Sequence, residues 1–103
     1  MTTPMRIRAT ESGGVTTVRV LMTHVMETGM RRGSDGNVVP AHYITNVEAT
    51  HNGRNVLSCN FSGAVSQNPL LTFRFTGAAK GEKLAIKWVD NKGESRTDEA
   101  TIA

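Results

Sequence analysis

The sequence has one cysteine, three prolines and five aromatic residues among its 103 positions. A single thiol excludes an internal disulfide, so packing alone must hold the fold. Runs of like charge are missing as well: twelve Lys and Arg stand against nine Asp and Glu, and the net +3 is scattered along the chain. Nucleic-acid binding usually needs a dense basic face with interleaved aromatics, so this balance argues against it. No apolar stretch approaches the roughly 18 residues of a membrane-spanning helix, and no segment shows the basic-then-apolar order of an export signal. A soluble chain with no leader of its own is the expectation. Helical periodicity is absent too, which removes helix bundles and α/β folds from consideration.

What remains is alternation with period two, in segments rich in Val, Ile, Leu and Phe. Met5, Ile7 and Ala9 alternate with polar neighbours, and "ESGG" supplies a turn before Val18, Val20 and Met22 do the same. Tyr43, Thr45, Val47 and Ala49 would share one face of a third strand. Asn52-Gly53 is a strong hairpin signal, because a two-residue type I′ turn needs positive φ at both central positions. Leu57, Cys59 and Phe61 line the returning strand; Leu71, Phe73 and Phe75, then Leu84, Ile86 and Trp88, mark two more. "DNKGE" turns the chain into a last strand ending near Ile102. About seven short strands in one domain, residues 1–103, predict an all-β, immunoglobulin-like antiparallel sandwich without the inter-sheet disulfide.

One stretch breaks the pattern: His24 to Ile44, "HVMETGMRRGSDGNVVPAHYI", roughly a fifth of the chain. His24, His42, Met22, Met26 and Met30 are soft donors that suit copper(I). Their spacing matches no compact metal motif, and methionine often fills irregular gaps, so packing is the competing reading and no metal is assigned. Cys59 with a histidine is the one nucleophile and base combination the chain offers, yet Cys59 lies between Leu57 and Phe61 on the apolar side of its strand, where a buried inert thiol is expected. Glu27 stands alone in its loop, and Asp98-Glu99 reads as a solvated strand end. Neither "SGG" nor "GAAKG" opens a helix as a phosphate loop would. No catalytic constellation and no cofactor follows, which favours a binding or scaffold role.

The run "HVMETGMRR…G…VPAHYI", followed by "VEATHNGRNVL" and "GAVSQNPLLTFRFTGAAKGEKLAIKWVDNKGESRTDEATI", resembles the SoxZ family, small subunits of the SoxYZ sulfur carrier in bacterial thiosulfate oxidation. The similarity runs from about Arg6 to near the end. It rests on the His-x-Met-Glu-Thr-Gly-x-Arg loop, the Pro-Ala-His/Tyr-Ile strand start, the Ser-x-Asn-Pro turn and the Trp-x-Asp-x-x-Gly-Glu hairpin. The resemblance implies an immunoglobulin-like sandwich that is the non-catalytic half of a heterodimer. Its partner SoxY would carry sulfur intermediates on a C-terminal cysteine arm, meet the other thiosulfate-oxidising Sox enzymes transiently, and supply the export signal that takes the pair to the periplasm. Cys59 would not be the sulfur-bearing residue; an intersubunit disulfide through it ranks below the buried thiol.

The long loop is then the expected partner contact, since long ordered loops in compact domains are usually functional. Met26, Met30 and Ile44 offer apolar area, while Glu27, Arg31 and Arg32 offer directional charge. Thr28-Gly29 would shape the loop, "GSDGN" would form its exposed tip, and His24 and His42 would flank it. Ile44, out of phase with Tyr43 and Val47, is expected to face away from the core. Against this, Glu27 and Arg31 would pair only with each other, and both histidines would bond to backbone. Arg31 and Arg32 would alternatively give positive potential for anionic sulfur intermediates or acidic enzymes.

Overall fold

The computed structural model describes residues 2–103. Seven strands follow in chain order: β1 (Arg6–Ser12), β2 (Val15–Leu21), β3 (Ile44–His51), β4 (Arg54–Asn60), β5 (Leu70–Thr76), β6 (Lys83–Asp90) and β7 (Ser95–Thr101). They pair antiparallel throughout, in one sheet of order β1-β2-β5 and another of order β4-β3-β6-β7. Setting strands 1, 2 and 5 against 3, 6 and 7 is the immunoglobulin-like division, with β4 hydrogen-bonded to β3. The expected all-β sandwich is what forms.

Two tight turns work as their residues require. Gly13 and Gly14 have φ of 59° and 87° between β1 and β2, and Asn52 and Gly53 have 49° and 76° between β3 and β4. Positive φ at both positions gives the twist that joins antiparallel strands with two residues. The alternating apolar positions then fall inward: Val18, Val20 and Met22 from β2 and its continuation meet Val47 and Ala49 from β3 and Leu84, Ile86 and Trp88 from β6. Each large side chain in this layer contributes about 1.5–3 kcal/mol by leaving water.

Ile44 departs from expectation. It is fully buried, because β3 carries a bulge between Ile44 and Asn46 where it pairs with β6. The extra residue shifts the alternation, so Ile44 and Val47 turn to the same side although three positions separate them. Tyr43 and Thr45 are only partly buried, and Thr45 Oγ1 donates to the Val89 carbonyl at 3.1 Å.

The molecule is long for its size. Its extents are 53 × 20 × 20 Å, with a radius of gyration of 15.4 Å against about 13 Å for a compact chain of this length. A seven-residue strand spans only about 24 Å. The longest connection, residues 22–43, lies between β2 and β3.

Candidate functional site

That segment is a narrow antiparallel ribbon. Glu27 and His42 bridge it near the base, with Glu27 N–H donating to the His42 carbonyl at 2.7 Å and His42 N–H returning to the Glu27 carbonyl at 3.0 Å. Arg32 and Val38 bridge it again toward the tip, and Val39 N–H donates to the Arg31 carbonyl at 2.7 Å. The chain reverses at Gly33–Asn37, whose residues 34–37 are exposed, as expected of "GSDGN". Thr28-Gly29 makes a bend in the outgoing leg. There Gly29 has φ of 86°, and a Cβ on it would lie 3.0 Å from the Ala41 Cβ, so the two legs approach closely only because this side chain is missing.

The base of the ribbon is held by a buried carboxylate. Asp90 Oδ2 accepts from His24 Nε2 at 3.0 Å and from His42 Nε2 at 2.8 Å, while its Oδ1 accepts the backbone N–H groups of Lys92 and Glu94 at 3.0 and 2.9 Å. One carboxylate thus grips the outgoing leg through His24, the returning leg through His42, and the β6–β7 turn. Burial pushes the Asp90 carboxyl up; the two imidazoles and the two backbone donors outweigh that and hold it below its ordinary value of 3.8. Glu94 Oε1 lies 3.2 Å from His42 Nε2. Asn91 completes the grip: its Oδ1 accepts from Tyr43 N–H at 2.8 Å and its Nδ2 donates to the Ala41 carbonyl at 3.0 Å.

A second turn supports the outgoing leg. Asn68 Oδ1 accepts from His24 N–H at 3.1 Å, Asn68 N–H donates to the His24 carbonyl at 3.0 Å, and Met22 N–H donates to the Pro69 carbonyl at 2.9 Å. Gly63 approaches Thr28 so closely that a Cβ would sit 3.1 Å from the Thr28 Cα. The ribbon is therefore seated between the loop before β5 and the turn after β6.

The residues singled out in the sequence separate into anchors and surface. His24, Met26 and Ile44 are buried, at 8, 6 and 0 % exposure, so Met26 and Ile44 give no apolar contact area to a partner. Met26, held at φ of 50°, donates its N–H to His24 Nδ1 at 3.1 Å, and its sulfur accepts the Ile44 N–H at 3.4 Å. Exposed on the ribbon are Thr28, Arg31, Arg32 and above all Met30, at 85 %. Arg31 Nε donates to both Glu27 oxygens at 3.2 and 3.1 Å and its Nη2 to Oε1 at 2.6 Å, so this pair does close on itself. That bidentate contact holds the Glu27 carboxyl below its usual value. Arg32 Nη1 instead donates to the Gly36 carbonyl at 2.8 Å and, among the described residues, forms no ion pair.

A copper site of histidines and methionines does not form. Met22 is in the core, the Met26 sulfur is occupied by Ile44 N–H and Met30 stands in solvent. His24, His42 and Asp90 do bring three donor atoms within 4.8 Å of one another. A metal-ligating histidine, however, donates its second ring N–H to an acceptor, whereas the second nitrogen of His24 faces the Met26 N–H and must accept. His24 therefore carries its proton on Nε2, toward Asp90. The cluster is a hydrogen-bonded clamp.

Sequence reasoning missed Asp90, Asn91 and Asn68. The signal for Asp90 was present: the inward phase Leu84, Ile86, Trp88 continues to residue 90, just as Val18, Val20, Met22 continues to His24 and Met26. Two inward-facing polar residues at one end of the sandwich are obliged to find each other. Cys59, for its part, is half-buried against the core on β4, and burial pushes its thiol above the ordinary value of 9.0.

Fold and site together define a small β-sandwich that presents an anchored, protruding ribbon. The family model for "Sulphur oxidation protein SoxZ" matches residues 5–101, nearly the whole chain. The chain belongs to the SoxZ family. No curated protein matches it. Among solved structures it is similar to a superoxide reductase in the oxidized state (18 % identity, TM-score 0.64, covering 96 % of this chain and 86 % of that one). It is also similar to a hypothetical protein from Pyrococcus horikoshii OT3 (17 %, 0.66, 98 and 88 %) and to a single-residue variant of the superoxide reductase (neelaredoxin) from Archaeoglobus fulgidus in the reduced form (19 %, 0.59, 99 and 87 %). At such identities the likeness is one of fold alone.

Proposed function

We propose that this chain is the non-catalytic subunit of a SoxYZ sulfur carrier. It pairs with SoxY, whose C-terminal cysteine arm carries covalent sulfur intermediates during thiosulfate oxidation, and helps present that arm to the other Sox enzymes. Family membership supports the sulfur-oxidation setting. The observation that carries the scaffold role is the ribbon, on which Met30 at 85 % and Val25 and Val38 at 48 % exposure put apolar side chains into solvent on a backbone clamped at its base. Exposed apolar groups on a rigid support, ringed by charge, are what a protein interface needs. Thr28, Met30, Arg31 and Arg32 are the contact residues in this reading. Glu27 orders Arg31, Gly29 shapes the leg, and His24, Met26, His42 and Ile44 hold the base. The pair is periplasmic, exported through the signal of SoxY, and an oxidising compartment would permit an intersubunit disulfide at Cys59.

Intact mass of the protein purified from its native source, under non-reducing native conditions and then after reduction, tests this. The expected result is a heterodimer whose second chain carries reductant-removable mass on one cysteine. A lone chain with no partner would sink the proposal.

A further inference from the structure

The outer face of the β1-β2-β5 sheet is unlike the rest of the surface. Strand register sets its side chains in rows: Arg6, Leu21 and Leu70; Arg8, Arg19 and Thr72; Thr10, Thr17 and Arg74; Ser12, Val15 and Thr76. Four arginines share this face with no Asp or Glu. Setting them aside leaves eight basic against nine acidic residues, so the charge excess of the chain resides here. Arg8 stands directly opposite Arg19 across the β1–β2 ladder. Like charges so placed destabilise a strand pair. The other sheet obeys the opposite rule, with Glu48 facing Lys87 across β3 and β6. Among the described residues, none of the four arginines meets a carboxylate; Glu27, Glu82, Asp90 and Asp98 are engaged elsewhere.

Protection of sheet edges does not account for the pattern. Basic residues on β1 and β5 could deter edge-to-edge pairing, but Arg19 lies on the central strand, which has no free edge. We infer that this face docks an acidic protein surface, carboxylates meeting Arg6, Arg8, Arg19 and Arg74 around an apolar contact on Leu21 and Leu70. Those leucines are 40 and 57 % exposed, beside a groove of about 350 Å³ walled by Arg6, Arg8 and Arg19. A small oxyanion would gain nothing from the leucines. Single-stranded nucleic acid would want aromatic rings to stack on, and this face has none. The inference stands apart from the SoxY pairing, because the ribbon carries that one.

The test is an amide and arginine-side-chain NMR titration of the full chain with a twelve-residue Glu/Leu peptide at low salt. Inorganic sulfate and a twelve-nucleotide oligothymidine serve as competing probes. Saturable shifts confined to β1, β2 and β5 are expected, weakened by 0.15 M salt. The double variant Arg8→Glu/Arg19→Glu should lose affinity by about tenfold or more, while Arg31→Glu/Arg32→Glu stays within about twofold. Shifts spread over all basic residues or centred on the ribbon would overturn the inference. So would equal saturation by sulfate at the same concentration, or tighter binding of the oligonucleotide. Thermal unfolding of Arg8→Glu/Arg19→Glu, expected close to the parental temperature because one like-charged pair replaces another, keeps lost affinity from being mistaken for lost fold.

Discussion

At the scale of single residues, Asp90 decides most. Its two oxygens accept four hydrogen bonds in a site where its side chain is 0 % exposed, so the carboxylate is satisfied only while all four donors hold their places. Asn is not an equivalent there. An amide could still accept from the Lys92 and Glu94 backbone, but its Nδ2 would confront two imidazole N–H groups, and His24 cannot reverse its tautomer while Met26 N–H occupies Nδ1. Asp90→Asn should therefore cost about 2–4 kcal/mol at neutral pH, measured by urea unfolding. Because the folded carboxyl lies below its ordinary 3.8, its stabilisation is fully present well above that value and is lost as pH falls through and below it. The gap in stability between parent and variant should close on acidification; a gap that stays constant would show that Asp90 is not the group being titrated. Ile44 and Met30 make a second contrast. Ile44→Ala should cost about 2–4 kcal/mol because a fully buried side chain is removed, whereas Met30→Asp should leave stability within about 0.5 kcal/mol. Partner affinity should follow the reverse order for any direct effect of the side chain. An equal loss of stability for both would mean that Met30 packs against something in the free chain.

At the scale of elements, β6 organises the site. Its inward row runs Leu84, Ile86, Trp88, Asp90, and Glu82 continues the same phase on the other side. Each end of this apolar row terminates in a carboxylate that meets a histidine: Asp90 with His24 and His42, and Glu82 with His51 at 3.0 Å. Glu82 also accepts from Ala79 N–H at 2.6 Å and from Asn52 at 3.0 Å, which with His51 keep its carboxyl below the usual value. The strands themselves were legible in the sequence, because alternation is a local property; of the expected apolar rows, only the start of β3 fell out of phase, with Ile44 inward in place of Tyr43 and Thr45. The clamp was not read, since it joins residues 66 and 48 positions apart and depends on following the alternation past the last apolar residue of each strand. Ile44 was misread for a related reason: a bulge is invisible to strict period two. The ribbon legs depend in turn on Gly29. Gly29→Ala would combine a left-handed φ with a Cβ pressed on Ala41, so it should cost about 1–3 kcal/mol of local strain. Faster amide exchange from Glu27 to His42 and weaker partner binding should accompany it, with the β-sheet amides unchanged. Unchanged exchange in the ribbon would place the strain elsewhere.

At the scale of the molecule, the two proposed contact surfaces of the chain occupy different parts of it. The sandwich provides a rigid body with its own core, while the ribbon continues beyond Glu27 and His42 to the Arg32–Val38 bridge and an exposed tip. Residues 30–32, 34–38 and 40 are exposed, so their loss removes little buried area. A variant in which Asn-Gly replaces Arg32–Val38 keeps the Asp90 clamp, the Asn91 grip and the Glu27–His42 bridge, and it shortens the segment that must be closed. Loop-closure entropy changes slowly with length, so its stability should stay within about 1 kcal/mol of the parent. Its radius of gyration should fall below 15.4 Å by small-angle scattering. Assembly with SoxY should weaken by tenfold or more, because the variant loses Arg32, Val38 and the tip between them and leaves Thr28, Met30 and Arg31 alone to hold the partner. Should the shortened chain assemble as tightly as the parent, the ribbon tip is not the contact, and the interface must be sought on the faces of the sandwich.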